Sequence, residues 1–240
     1  HLMGYDHMND DEKSVMRAKE ENILKGIRDS ETITVFINYK GTQICLWKGD
    51  ITTLKIGAIV NAANSQGLGC FIPCHKCIDN AIHSASGVEL RLECNKIMKK
   101  LKSLKTGKAF ITSGYNLPSK YVIHTVGPII YENVTDKNVS ELEECYINAL
   151  ELARENNIKE IAFPCISTGE FRFPKDLASE IAIKVVRKYI DDNVKAFTKD
   201  LKEYNGITLQ YVGIMPIDID IEPILTTNKN LKLKLKDIRV

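Results

Sequence analysis

No stretch of this chain is apolar for long enough to span a bilayer, and its first residues lack a charged-then-apolar leader. Charge of one sign is also scarce. The 33 Lys and Arg nearly balance 31 Asp and Glu, leaving a net charge of +2. That is too little to hold a polyanion, and no basic stripe with interleaved aromatics makes up for it, so a nucleic-acid partner ranks low. No internal repeat and no low-complexity tract interrupts the chain. Seven cysteines, an odd number with three crowded together, suit a disulfide framework poorly. They fit a reduced compartment and a metal better, and a cytoplasmic protein is expected.

What is present is an ordinary globular composition, 27% charged over 240 residues, enough for one sizeable core or a core with extensions. Residues 1–30 are expected to be a tag remnant (His1–Gly4) followed by a charge-rich helix over 9–29. Residues 31–215 are expected to be the main domain, and 216–240 an extension with alternating strands near Ile217–Glu222 and Leu231–Leu235. Within the main domain, Thr32–Asn38 and Gln43–Trp47 predict a hairpin, and Ala58–Asn61 a buried strand. Leu90–Leu104 reads as a helix, and Gly107–Ser113, Tyr121–Val126, Ile158–Cys165 and Leu209–Met215 as strands. Ser140 with Glu143 predicts a capping box opening a helix to Asn156, with Leu142, Tyr146, Ala149 and Ala153 as its buried stripe. Leu177, Ile181 and Val185 mark a last helix, and Asp191–Asn205 reads as a polar insertion. Strands alternating with helices predict a layered α/β sheet.

The densest chemistry lies between Val60 and Gly87. Cys70, Cys74, His75 and Cys77 are four soft ligands within eight residues, the donors that zinc selects. Cys74 and His75 are adjacent and so point to opposite sides of an extended loop. Cys70, His75 and Cys77 are therefore expected to form a three-ligand site with one open position, Cys74 being spare; a closed four-ligand site is the alternative. Asp79 and His83 follow four apart on a helix whose apolar stripe is Ile78, Ile82 and Ala85. An acid in a first helical turn needs no function. Its place two residues from a metal ligand lets Asp79 orient or deprotonate a water, while His83 is expected to pack or cap and His124 to sit in the core.

Two more loops stand at predicted strand ends. Asp50, after Lys48 and Gly49, either accepts from an exocyclic amine or closes an Asx turn. The small-residue loop Cys165–Pro174 stands between a strand end and a helix, where backbone N–H groups can hold a diphosphate and Phe171 can stack on a sugar or cover the phosphates. The alternative is an ordinary β-α turn, with Glu170 facing solvent rather than serving as a second acid.

Three stretches, Lys48-Gly49-Asp50-Ile51-Thr52, Val60-Asn61-Ala62-Ala63-Asn64 and Ile166-Ser167-Thr168-Gly169, together resemble the macrodomain family of ADP-ribose binders in order and spacing. The segment Gly69–Asn80 departs from the glycine-rich loop of the common hydrolytic members and resembles their zinc-dependent branch, often encoded beside a sirtuin-type ADP-ribosyltransferase. The resemblance implies a three-layer α/β/α fold with a central mixed β-sheet. It implies that Asp50 accepts from the adenine amine, that the Ile51 amide supports the ring, and that Asn64 contacts the distal ribose. It places Ser167 to Glu170 on the diphosphate, Phe171 on the distal sugar, and Asp79 where common hydrolytic members carry their catalytic aspartate. The expected activity is zinc-dependent hydrolysis of mono-ADP-ribose from modified protein side chains, through an acidic linkage. The alternative is a reader that binds ADP-ribose over a structural zinc without turnover.

Overall fold

The computed structural model describes residues 34–40, 42–47, 49–73, 75–197 and 212–213. The expected N-terminal helix, Cys74, and the strands expected near Ile217–Glu222 and Leu231–Leu235 lie outside the described residues.

The hairpin forms from β1 (Thr34–Tyr39) and β2 (Thr42–Trp47), antiparallel with Tyr39 opposite Thr42, and β7 (Val212–Gly213) runs parallel to β2. The second sheet carries the site. It is built from β3 (Ala58–Ala62), β4 (Ala109–Ser113), β5 (Tyr121–Thr125) and β6 (Ile161–Ala162) in the order β4-β5-β3-β6. Strands β5 and β6 both run parallel to β3, while β4 is antiparallel to β5. The loops after β3, β5 and β6 consequently leave the same edge, where ligands of open α/β sheets gather.

Among the described residues, four helices cover the two faces. On one side lie α1 (Ile78–Ser86) and α2 (Val88–Leu101), on the other α3 (Asp136–Glu155) and α4 (Lys175–Phe197). The strand pleat divides the core accordingly. Ala58, Val60 and Ile123 pack with Leu142, Tyr146, Ala149 and Ile181 of α3 and α4. Ile59 and Val122 pack with Ile82, Leu90, Cys94 and Met98 of α1 and α2. The result is the expected three-layer α/β/α arrangement around a mixed sheet.

The expected stripe of Leu142, Tyr146, Ala149 and Ala153 is buried. Its cap is not at Ser140. The helix opens a turn earlier at Thr135, whose side chain accepts from the Asn138 N–H while the Asn138 side chain accepts from the Thr135 N–H. Asparagine does there what the Glu143 reading assigned to glutamate, and Ser140 falls inside the helix. Strand β6 keeps only two residues of the predicted Ile158–Cys165 run, because the chain leaves the ladder after Ala162 to bury Phe163 and Ile166. The stretch read as an insertion from Asp191 begins as the last turns of α4, which continues to Phe197. No helix among the described residues is long and apolar enough to cross a membrane.

Candidate active site

Strand β3 ends at Ala62, and the chain turns at once under the control of one side chain. Asn64 Oδ1 accepts from the N–H groups of Gln66 (3.0 Å) and Gly67 (3.2 Å), while its Nδ2 donates to Gly69 O (3.3 Å) and to Asp79 Oδ2 (3.2 Å). The loop thus folds back so that the two residues expected to be catalytic touch. Gly69 is required by close approach: its φ is +85°, and a Cβ there would stand 2.6 Å from the His83 ring. Asn80 Nδ2, donating to Ile72 O (3.1 Å) and Cys70 O (3.4 Å), ties the far side of the loop to α1.

The same loop gathers Cys70, His75 and Cys77, half-buried, with their ligand atoms all within 4.8 Å of one another. Cys70 Sγ lies 3.4 Å from His75 Nδ1. His75 Nε2 faces Glu170 Oε1 at 3.6 Å, so the ring turns one nitrogen to the thiols and the other to the loop after β6. Cys77 also caps α1, its Sγ accepting from the Asn80 N–H at 3.4 Å. Burial pushes the Cys77 thiol up, and the Asn80 N–H opposes that shift. Two sulfurs and an imidazole at this spacing fit a divalent soft cation such as zinc, whose charge would hold the thiols as thiolates.

Asp79, in the first turn of α1, is 4% exposed. Asn61 Nδ2 donates to its Oδ1 at 2.7 Å, and His83 Nε2 stands 3.6 Å from the same oxygen. Burial pushes the Asp79 carboxyl up, against the Asn61 hydrogen bond and the Arg91 guanidinium, which both pull it down. His83 packs as expected; burial, and then the Arg91 charge, lowers it to about 4. Arg91 also stacks its guanidinium on Phe71, 4.2 Å from the ring centroid, clasping the loop to α2.

The loop after β6 turns at Ile166–Ser167, with Ser167 at φ +66° and its N–H, like those of Gly169 and Glu170, free of backbone partners among the described residues. Neighbouring amides in such a turn form an anion-binding concavity. Phe173 and Pro174 separate this turn from α4, so its unpaired N–H groups belong to the turn and not to the helix end. Phe171 is part-buried against the core of the α1 and α2 side, and its carbonyl accepts from the Ile130 N–H (2.8 Å). At the start of the domain Asp50 caps the short helical turn Ile51–Thr53, its Oδ1 accepting from Thr52 N (2.9 Å) and Thr52 Oγ1 (2.7 Å). The Asx turn is formed, and the exposed carboxylate keeps its second oxygen; the Ile51 side chain is buried.

The structure therefore brings together Asn64, Cys70, His75, Cys77, Asp79 and Glu170. Asn61 and Arg91 were missed as site residues. A buried amide at the end of an apolar strand was the available signal for Asn61; Arg91 carries no local signal, because its neighbours come from another element.

Residues 60–182, half of the chain, match the family model "Macro domain". A second model, "Endoribonuclease YbeY", matches residues 1–28, a stretch that includes the four residues expected to be a tag remnant. The chain is 52% identical to a protein-ADP-ribose hydrolase of Staphylococcus aureus (strain MSSA476) over 155 residues, covering 64% of this chain and 58% of that protein. It is 53% identical to a protein-ADP-ribose hydrolase of Treponema medium over 152 residues, 63% of this chain and 58% of that one. The chain thus spans less than two thirds of these relatives' length. The Oceanobacillus iheyensis macrodomain, solved with ADP, superposes with a TM-score of 0.67 at 34% identity, over 78% of this chain and 91% of that one. With the family match across half its length and a shared fold at this identity, the chain belongs to the Macro domain family.

Proposed function

We propose that this chain hydrolyses the bond joining ADP-ribose to a modified protein, with mono-ADP-ribosyl groups on acidic side chains as substrate. The observation that carries the reading is the Asn64–Asp79 contact at 3.2 Å, beside the Cys70, His75 and Cys77 cluster and at the same sheet edge as the amide turn of Ser167–Glu170. The names of the S. aureus and T. medium relatives, and the ADP held by the O. iheyensis macrodomain, support it.

The amides of Ser167, Gly169 and Glu170 hold the diphosphate in the turn that Thr168 closes onto Cys165 O, and Phe171 bounds the distal sugar. Asp50 offers its second oxygen to the adenine amine, and the Ile51 amide supports the ring. Asn64 contacts the distal ribose by giving a ribose hydroxyl the Nδ2 hydrogen that Gly69 O now accepts. Asp79, fixed on its Oδ1 side, presents Oδ2 to orient an attacking water and take its proton. Holding the scissile bond in register against these fixed groups supplies much of the acceleration. Zinc held by Cys70, His75 and Cys77 would supply Lewis-acid polarisation on the distal-ribose side. Glu170, facing His75 Nε2, orients that ring for ligation through Nδ1. A sirtuin-type ADP-ribosyltransferase is the kind of enzyme that would supply the substrate.

The test is release of ADP-ribose from aspartate- or glutamate-modified protein, with and without chelator, comparing wild type with Asp79→Asn. Release that both the chelator and the substitution abolish is expected. Tight ADP-ribose binding without any release would instead make the chain a reader.

A further inference from the structure

Asn61 is an amide in a buried strand otherwise made of alanine, isoleucine and valine, and it is completely inaccessible. Its register partner across the parallel ladder is His124 of β5, equally inaccessible. Both side chains lie on the sheet face that α1 and α2 cover. Thr112 Oγ1 directs its hydrogen to Val122 O (3.4 Å), so at 2.9 Å it accepts from His124 Nε2–H. The partners thereby define the tautomer: His124 Nδ1 is an acceptor, and Asn61 Nδ2 donates to it at 3.1 Å. The second hydrogen of the same amide nitrogen goes to Asp79 Oδ1 at 2.7 Å.

This assignment also disposes of a metal at His83, Cys94 and His124, whose ligand atoms lie within 4.8 Å of one another. Both nitrogens of His124 are already committed. Of the three, His124 is the wired member, with Phe110 stacked on its ring at 4.6 Å.

The loose ends are both ring nitrogens of His83 and one atom of Asn61. Asn61 Oδ1 is buried without a partner, which costs stability, so the amide's gain lies on its nitrogen side. Flipping the amide would set Oδ1 against the Asp79 carboxylate and against the lone pair of His124. The amide is therefore locked from both ends. Asp79 Oδ1 is pinned toward the core, and Oδ2 is left on the side of Asn64, toward the opening loop.

We propose that Asn61, oriented by His124 and Thr112, is a positioning residue that sets the Asp79 carboxylate for reaction without touching substrate. This rests on the reading of Asp79 as the reacting acid given above. The chain links three elements: β4 orients β5, β5 orients β3, and β3 aims the first turn of α1.

The test measures kcat and KM for ADP-ribose release, and ADP-ribose affinity by calorimetry, in the full chain carrying Asn61→Ala, His124→Phe, His124→Gln or Asp79→Asn. Removing a hydrogen bond to a charged group by Asn61→Ala should lower kcat about 10- to 100-fold, with KM, ADP-ribose affinity and metal content at wild-type values. His124→Phe should lower kcat in the same way, and His124→Gln, whose amide oxygen can stand in for Nδ1, should recover part of it. A merely structural role would lower affinity and thermal stability with no selective effect on kcat, and that result overturns the proposal. So does wild-type kcat in Asn61→Ala when Asp79→Asn is inactive. Full activity in Asp79→Asn would instead overturn the reading of Asp79 itself, and the positioning role with it. If Asn61→Ala does not fold, the His124 pair decides on the same criteria.

Discussion

Acidification should unfold this domain through His124, and the size of the effect follows from its burial. The ordinary histidine value is 6.5, and burial, followed by the neighbouring His83, lowers His124 to about 3 in the fold. Between those two values the unfolded chain binds a proton that the folded chain refuses, so stability rises with pH across that window and is lost as pH falls through it. At about pH 7.5 the contribution is close to zero. At about pH 5 the unfolded imidazole is favoured by a factor of about 30, which corresponds to roughly 2 kcal/mol of lost stability. His83, lowered to about 4, acts in the same direction, whereas the raised Asp79 carboxyl acts in the opposite one, since the fold accepts its proton more readily. The informative quantity is therefore a difference between wild type and His124→Phe. Urea unfolding of both at about pH 7.5 and about pH 5, with EDTA throughout to keep metal release out of the comparison, should show the wild type losing about 2 kcal/mol more than the variant. Equal losses in the two chains would mean that His124 is protonated in the fold, and the tautomer assigned from its partners would be wrong.

Three further outcomes test the loop. Gly69→Ala forces a side chain into a +85° φ against the His83 ring, so the melting temperature should fall by an amount matching about 1–3 kcal/mol; an unchanged melting curve would refute the close approach. Cys77→Ser should remove bound zinc, read by elemental analysis, yet leave the α1 helix in place, because serine accepts from the Asn80 N–H as well as the thiol does. Asn64→Ala should abolish activity and also cost about 1–3 kcal/mol of stability, since the same side chain holds the turn at Gln66 and Gly67; full thermal stability would show that the loop stands without it.

The legible parts of the site were those where neighbours in sequence are also neighbours in space. Cys70, His75 and Cys77 belong to one loop, and their spacing alone brought three donors to one side. The turn at Ile166–Ser167 likewise falls where a run of small residues follows a strand. The helix ends were less legible. Thr135 with Asn138 closes a capping box through an asparagine rather than a glutamate, which starts α3 ahead of Ser140. Asn64 shows the reverse difficulty: it was read as a ligand contact, while its structural duty in the turn depends on how the loop folds back.

By itself the sequence determined the layered α/β class, the buried stripe of α3, the three-donor loop and the family likeness, because periodicity, spacing and short motifs are properties of neighbouring residues. Only the tertiary structure decided that Asp79 is held by Asn61 and Asn64, that Glu170 reaches across to His75, and that Arg91 clasps Phe71. It also decided the state of His124, whose partners Thr112 and Asn61 come from two other strands. Hydrogen bonds between elements depend on sheet order and on which pleat face a residue occupies. Those are settled when β3, β5 and the helices pack together, and no local run of residues encodes them.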